Sequence, residues 1–268
     1  MIYDIRHVTT YHYDAPVTSA RCILRLTPQD GLGQRLLSCA LTITPAPASL
    51  HEAVGFFGAR THEAVIDTAH RELRIEAAAR VEVSRAFSEP LAPGQPWETI
   101  RDAAAGDASL QPAAPVQHLF PSRLVPLVPE VTEYAAQSFA PGRGILSAAA
   151  ELSSRIKRDF LYDPRSTRVT TPLTEAFARR RGVCQDFAHI MIAGLRGLGL
   201  PAAYVSGYIH TTPPPGRPRL QGADATHAWV SVWCGPGLGW VGLDPTNAVA
   251  AADQHVVLCV GRDYADVS

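Results

Sequence analysis

The sequence is almost without lysine: of its 24 basic residues only Lys157 is not arginine. Against 25 acidic residues this leaves a formal net charge of -1. No global field therefore steers the chain toward nucleic acid, an anionic membrane or a strongly charged substrate. The bias toward arginine and alanine reads as genome base composition rather than as a binding surface. No apolar run approaches the roughly 20 residues needed to span a bilayer, and the opening MIYDIRHVTTYHYD lacks the basic-then-apolar order of a secretory leader. The expectation is a soluble, cytoplasmic protein that binds neither membrane nor nucleic acid. The 5 cysteines, Cys22, Cys39, Cys184, Cys234 and Cys259, are odd in number and scattered, which argues against a disulfide framework and fits a reducing compartment. CxxC and HExxH spacings are also lacking, as are internal repeats and heptads, so neither a metal nor a cofactor is expected.

What is present divides the chain. Up to about Ser88 the apolar pattern has period two, as in Arg21-Cys22-Ile23-Leu24-Arg25-Leu26, Ser38-Cys39-Ala40-Leu41-Thr42-Ile43 and Arg80-Val81-Glu82-Val83-Ser84. That predicts an antiparallel β domain over residues 1–88. Residues 89–127 are rich in proline and alanine and read as a connector with short helices. From 128 to 268 the period changes. Ile145, Ala149, Leu152, Ile156 and Phe160 form one helical stripe. Thr171 as N-cap, Pro172 in the first turn and Arg179-Arg180-Arg181 before Gly182 bracket a second helix. A third begins at Cys184, with Phe187, Ile190, Met191, Gly194, Leu195 and Leu198 on a buried face. Ala202 to Ile209, Thr226 to Trp233 and Trp240 to Leu243 then read as strands of one antiparallel sheet. The fold class is α+β: a sandwich-like β domain, then a central helix packed on a sheet.

Cys184 starts a helix, where the macrodipole and unpaired N–H groups favour the nucleophilic thiolate. His227 begins a strand, and Asp244 ends the next one just before Pro245. A hairpin through Gly235 to Gly239 brings that carboxylate back beside the histidine. Thiol, imidazole and carboxylate in this order are what nucleophilic catalysis by cysteine requires.

The same residues carry a resemblance. GVCQDFAH (182–189), ATHAWVSVW (225–233) and GWVGLDPTN (239–247) resemble the transglutaminase-like superfamily, in particular its bacterial branch with an N-terminal β domain. Phe160-Leu161-Tyr162-Asp163-Pro164, with Thr167, Val169, Thr171 and Pro172, and the closing Val260-Gly261-Arg262-Asp263-Tyr264-Ala265-Asp266 are similar to it as well. The resemblance implies a papain-like Cys-His-Asp triad of Cys184, His227 and Asp244 acting on a peptide or amide. Ala178 stands where papain-type enzymes carry the oxyanion glutamine. The Cys184 backbone N–H is one expected oxyanion donor, and Tyr162 is the candidate for the second. Gln185, Asp224 and Trp229 are further candidates for substrate contact, while Asp186 and His189 read as structural. The Thr211 to Pro218 proline run is read as a loop near the site. Two other readings remain: an inactive scaffold of the same fold, and a metal site built from Cys184, His189, His227 and Cys234.

Overall fold

The computed structural model describes residues 1–85, 93–210 and 226–268, and their contacts divide the chain into two compact units. The first comprises Met1–Arg85 and Val256–Cys259. Its strands are β1 (Ile2–Val17), β2 (Ala20–Leu24), β3 (Gln34–Thr44), β4 (Ser49–Val54), β5 (Arg60–Ile66) and β6 (His70–Val83). They form two antiparallel sheets, ordered β1-β6-β3 and β2-β5-β4. Along β6 the alternation is plain: Leu73, Ile75, Ala77, Ala79, Val81 and Val83 are buried, and Arg74, Glu76, Arg80 and Glu82 lie between them. The inward rows of both sheets make one core of Leu24, Ile43, Ala64, Ile66, Leu73 and Ile75. On the outward row Arg6 meets Glu76 at 2.6 Å and Arg35 meets Glu82 at 2.7 Å. These exposed pairs favour one register more than they add stability. Gln34 is buried and bonds both ways with the backbone of Val257, its amide donating to the carbonyl and accepting from the N–H at 2.8 Å each.

The second unit comprises Ala86–His255 and Val260–Ser268. The expected connector therefore belongs, where described, to this unit: α1 (Trp97–Ala105) buries Ile100 and Ala104, and a 3-10 turn follows at Pro115–His118. The next helices are α2 (Pro129–Ala136), α3 (Ile145–Asp159), α4 (Leu173–Arg179) and α5 (Cys184–Gly197). All five residues of the α3 stripe are buried, and each contributes about 1.5–3 kcal/mol except the smaller Ala149. Helix α5 is buried on every side from Asp186 to Arg196. Gly194 lets it approach α2, since a Cβ there would lie 2.6 Å from the Cβ of Ala135. Short strands β7 (Leu161–Tyr162) and β8 (Arg181–Gly182) pair in parallel just before α5. Strands β9 (Ala202–Ile209), β10 (Thr226–Trp233), β11 (Trp240–Asp244) and β12 (Val249–Ala250) follow, each antiparallel to the next. β13 (His255–Gly261) and α6 (Tyr264–Val267) end the chain. Among the described residues no helix is long and apolar enough to cross a membrane.

The α4 boundaries differ from expectation at both ends. Pro172 itself occupies the N-cap position, and the Thr171 hydroxyl instead accepts the N–H of Arg168 at 2.8 Å. The helix is ended by Arg180 in the left-handed region (φ 52°), two residues ahead of Gly182. Its guanidinium lies over the rings of Tyr134, Phe160 and Phe177 at 4.8, 4.7 and 4.2 Å. Cation–π attraction to three rings offsets the one or two kcal/mol that left-handed backbone costs a residue with a Cβ.

Arg196, near the end of α5, is buried and ties the unit together. It donates to the carbonyls of His118 (3.0 Å), Ala202 (2.8 Å) and Arg262 (2.7 Å) and to the Ser122 hydroxyl (3.1 Å). Replacing it with methionine keeps much of the volume but leaves those acceptors dry. We expect Arg196→Met to lose about 3 kcal/mol or more in urea unfolding; an unchanged midpoint would show that water supplies the missing donors.

Candidate active site

Strand β10 alternates, so His227 and Trp229 share a face, and its pairing with β11 places Val230 opposite Leu243. Asp244 is then level with Trp229 and can reach His227. The Nε2 of His227 lies 2.9 Å from Oδ2 of Asp244. This leaves Nδ1 as the ring nitrogen available to the neighbouring Cys184. Burial alone would push the imidazole down, but its hydrogen bond to Asp244 and its interaction with Cys184 prevail and hold it up at about 9.

Asp244 is fully buried, yet every lone pair is used. Oδ1 accepts the backbone N–H of Thr246 (2.8 Å) and Asn247 (3.2 Å). Oδ2 accepts from His227, from Nδ2 of Asn247 (2.6 Å) and from Nε2 of His255 (3.3 Å). Burial opposes the charge, but these donors, led by His227, hold the carboxyl well below its ordinary range.

Cys184 is the first residue of α5 and is half-buried. The turn before it is fixed by Asp186, whose Oδ2 accepts the Val183 N–H at 2.8 Å and the Thr167 hydroxyl at 2.7 Å. Gly182 is required there, because an added Cβ would lie 2.5 Å from that same oxygen. Burial raises the Asp186 pKa, against those two bonds. The first N–H groups of α5 have no partner within the helix and are available to an acyl oxygen.

The other sequence candidates fall in different places. Tyr162, on β7 opposite Gly182, is half-exposed; burial first, and then the neighbouring Cys184, raise its pKa. Gln185 reaches the Val169 carbonyl at 3.3 Å. Trp229 is 2 % exposed, its ring behind His227 and edge-on to His255, so it backs the imidazole rather than walling a cleft. Asp224 and the Thr211 to Pro218 run lie outside the described residues. His189 is buried, pushed down to about 4 by burial, and accepts the N–H of Tyr264. Cys234 is buried and donates to the Val232 carbonyl. The four-residue metal set is thus not gathered among the described residues. A different trio is: the ligand atoms of His227, Asp244 and His255 lie within 4.8 Å of one another. Hydrogen bonds account for that spacing, since Oδ2 also takes an amide N–H from Asn247, a group that does not ligate through nitrogen. Sequence reading missed Asn247 and His255. The first carried a faint signal, a side chain three residues after an aspartate in a proline turn; the second carried none.

Family models match at both ends of this arrangement: the bacterial transglutaminase-like N-terminal region at residues 3–82 and the transglutaminase-like superfamily core at 132–245. An uncharacterized protein of Mycobacterium tuberculosis is 41% identical over 99% of this chain and 85% of its own length. The chain belongs to the transglutaminase-like superfamily. A protein-glutamine gamma-glutamyltransferase of Pseudomonas aeruginosa is 34% identical over 107 residues, 37% of this chain and 16% of that one. A crystal structure from Cytophaga hutchinsonii, described as a candidate cysteine protease, matches with a TM-score of 0.76 at 21% identity over 100% of this chain and 86% of that one. This last likeness confirms the α+β fold.

The raised His227 has a consequence for stability. Its folded value of about 9 lies above the unfolded one of about 6.5. Its stabilisation is therefore complete below pH 6.5 and is lost as pH rises through 9. Urea unfolding should show that decline in the wild type and not in His227→Gln, and nitrogen NMR of labelled histidine should place the His227 titration near 9. A midpoint at or below 6.5 would mean that burial wins.

Proposed function

We propose that this protein is a thiol acyl-transfer enzyme in which Cys184 is the nucleophile, His227 the acid and base, and Asp244 the residue that orients His227. The observation that supports this most is the two-sided imidazole: Nε2–H held by Asp244, and the other nitrogen left to the thiol. In the proposed cycle the Cys184 thiolate attacks an amide carbonyl carbon. The C–N bond breaks as the imidazolium gives its proton to the leaving amine. Water or an amine then attacks the thioester, neutral His227 takes its proton, and Cys184 leaves as thiolate. The carbonyl oxygen is held by the N–H of Cys184, with the Tyr162 hydroxyl as our candidate for the second donor.

The substrate class is a peptide or amide. The Pseudomonas relative's name points to glutaminyl transfer, but that protein shares only 16% of its length with this chain. We favour hydrolysis; with Lys157 as its single lysine the chain is in any case a poor target for crosslinking to itself. The competing reading is an inactive scaffold.

The test uses p-nitrophenyl acetate as acyl donor, with and without putrescine, and iodoacetamide as thiol probe. Wild type should release p-nitrophenolate through Cys184, Cys184→Ala should not, and Asp244→Ala should slow it by about 10² or more. Alkylation of Cys184 at pH 7, read by peptide mass spectrometry, should fall about tenfold or more in His227→Ala. Equal release by Cys184→Ala removes the mechanism, and a Cys184 no more reactive with His227 than without it favours the scaffold. A putrescine adduct in place of acetate would move the reading to transamidation.

A further inference from the structure

His255 stands outside every motif that points to the triad, yet it meets the triad's carboxylate. It opens β13, is 2 % exposed, and directs Nε2 at Oδ2 of Asp244 from 3.3 Å, the same oxygen that His227 reaches from 2.9 Å. Its ring is edge-on to Trp229, 5.1 Å between centroids, and 6.3 Å from the ring of His227. Its Nδ1 is buried without a hydrogen-bond partner. A carboxylate oxygen only accepts, so Nε2 carries the hydrogen and Nδ1 is the bare nitrogen. The opposite tautomer would leave a buried N–H unpaired and set a lone pair against a negative oxygen.

We propose that His255 is a positioning residue for the Cys184–His227 pair, an Nε2–H donor that shares Oδ2 of Asp244 with His227 and so limits how tightly the carboxylate grips the imidazole. It rests on the proposed function only for its consequence in catalysis; the hydrogen bonding stands by itself. The titratable groups that meet His255 among the described residues are Asp244 from β11 and His227 from β10, with Cys184 beyond His227. A donor to a carboxylate is worth most when the carboxylate is uncompensated, that is, when His227 is neutral. Without His255, the state with neutral His227 loses more than the state with imidazolium. His227 should then hold its proton to higher pH and release it less readily to a leaving group.

The experiment is nitrogen NMR of the full chain labelled at histidine, in the wild type, His255→Leu and His255→Gln, with iodoacetamide alkylation of Cys184 alongside. In the wild type at neutral pH, His255 should show hydrogen on Nε2 and none on Nδ1. His255→Leu, which has no donor, should move the His227 titration up by about half a pH unit or more, and His255→Gln, whose amide N–H reaches a similar point, should return it toward the wild-type value. A proton on Nδ1, a His227 titration unmoved in folded His255→Leu, or stoichiometric zinc bound through these residues would each overturn the proposal. The tautomer decides it even if His255→Leu does not fold. Failure of the enzymatic reading looks different: Cys184 alkylation would ignore His227 while the tautomer and the shift persist.

Discussion

A single buried charge organises the second unit's chemistry. Asp244 has no solvent contact, and a carboxylate taken out of water is tolerated only where fixed donors replace its hydration. Five donors do so: two backbone N–H groups of the turn after β11, the Asn247 amide and two imidazoles. The turn, the register of β10 against β11 and the start of β13 must all be correct for the charge to be satisfied. The requirement runs both ways. Misplacing any of these elements would expose the cost of the charge, and the charge in turn fixes where His227 points.

The thiol is held by a different device. Cys184 depends on how α5 begins, and that is set by the capping of Val183 by Asp186, the bare backbone of Gly182 beneath it, and the left-handed Arg180 locked over three rings. These residues act through packing and backbone bonds, and the imidazole side acts through charge. The two halves are joined where α5 packs on β10, with Cys184 and His227 interacting at that junction.

The periodic elements were legible in the sequence because one buried face leaves a repeat of two or 3.6: β6, α3 and α5 lie where alternation and stripe predict. The positions of Cys184 at the start of α5 and of Asp244 at the end of β11 were legible from Gly182 and Pro245 beside them, and that of His227 near the start of β10 from strand alternation. The α4 ends were not: at the first the Thr171 hydroxyl is taken up by the Arg168 N–H instead of capping the helix, and at the second the contacts of Arg180 with the Tyr134, Phe160 and Phe177 rings hold a left-handed residue ahead of Gly182. Trp229 was read by alternation alone, which says which face it shares with His227 but not that β13 begins with a ring covering that face. His255 was invisible for the same reason: what makes it matter is the neighbour across the sheet face, and no spacing along the chain encodes that.

The second histidine also constrains the third position of the site. In a thiol site with one histidine, an asparagine can stand in for the carboxylate, because its carbonyl oxygen accepts the single imidazole N–H. Here that substitution has no good orientation. If the amide oxygen took the two turn N–H groups now on Oδ1, its NH2 would face the Nε2–H of His227, the Nε2–H of His255 and the Asn247 amide, three donors against a donor. If it were flipped, the turn's N–H groups would face the NH2 instead. One of the imidazoles could change tautomer to relieve the conflict, but His227 would then turn its hydrogen toward the thiol, and His255 would bury an N–H where no acceptor lies. Only a group that accepts on both oxygens satisfies all five neighbours, so the pairing of His255 with His227 makes aspartate, rather than asparagine, the residue this geometry can use.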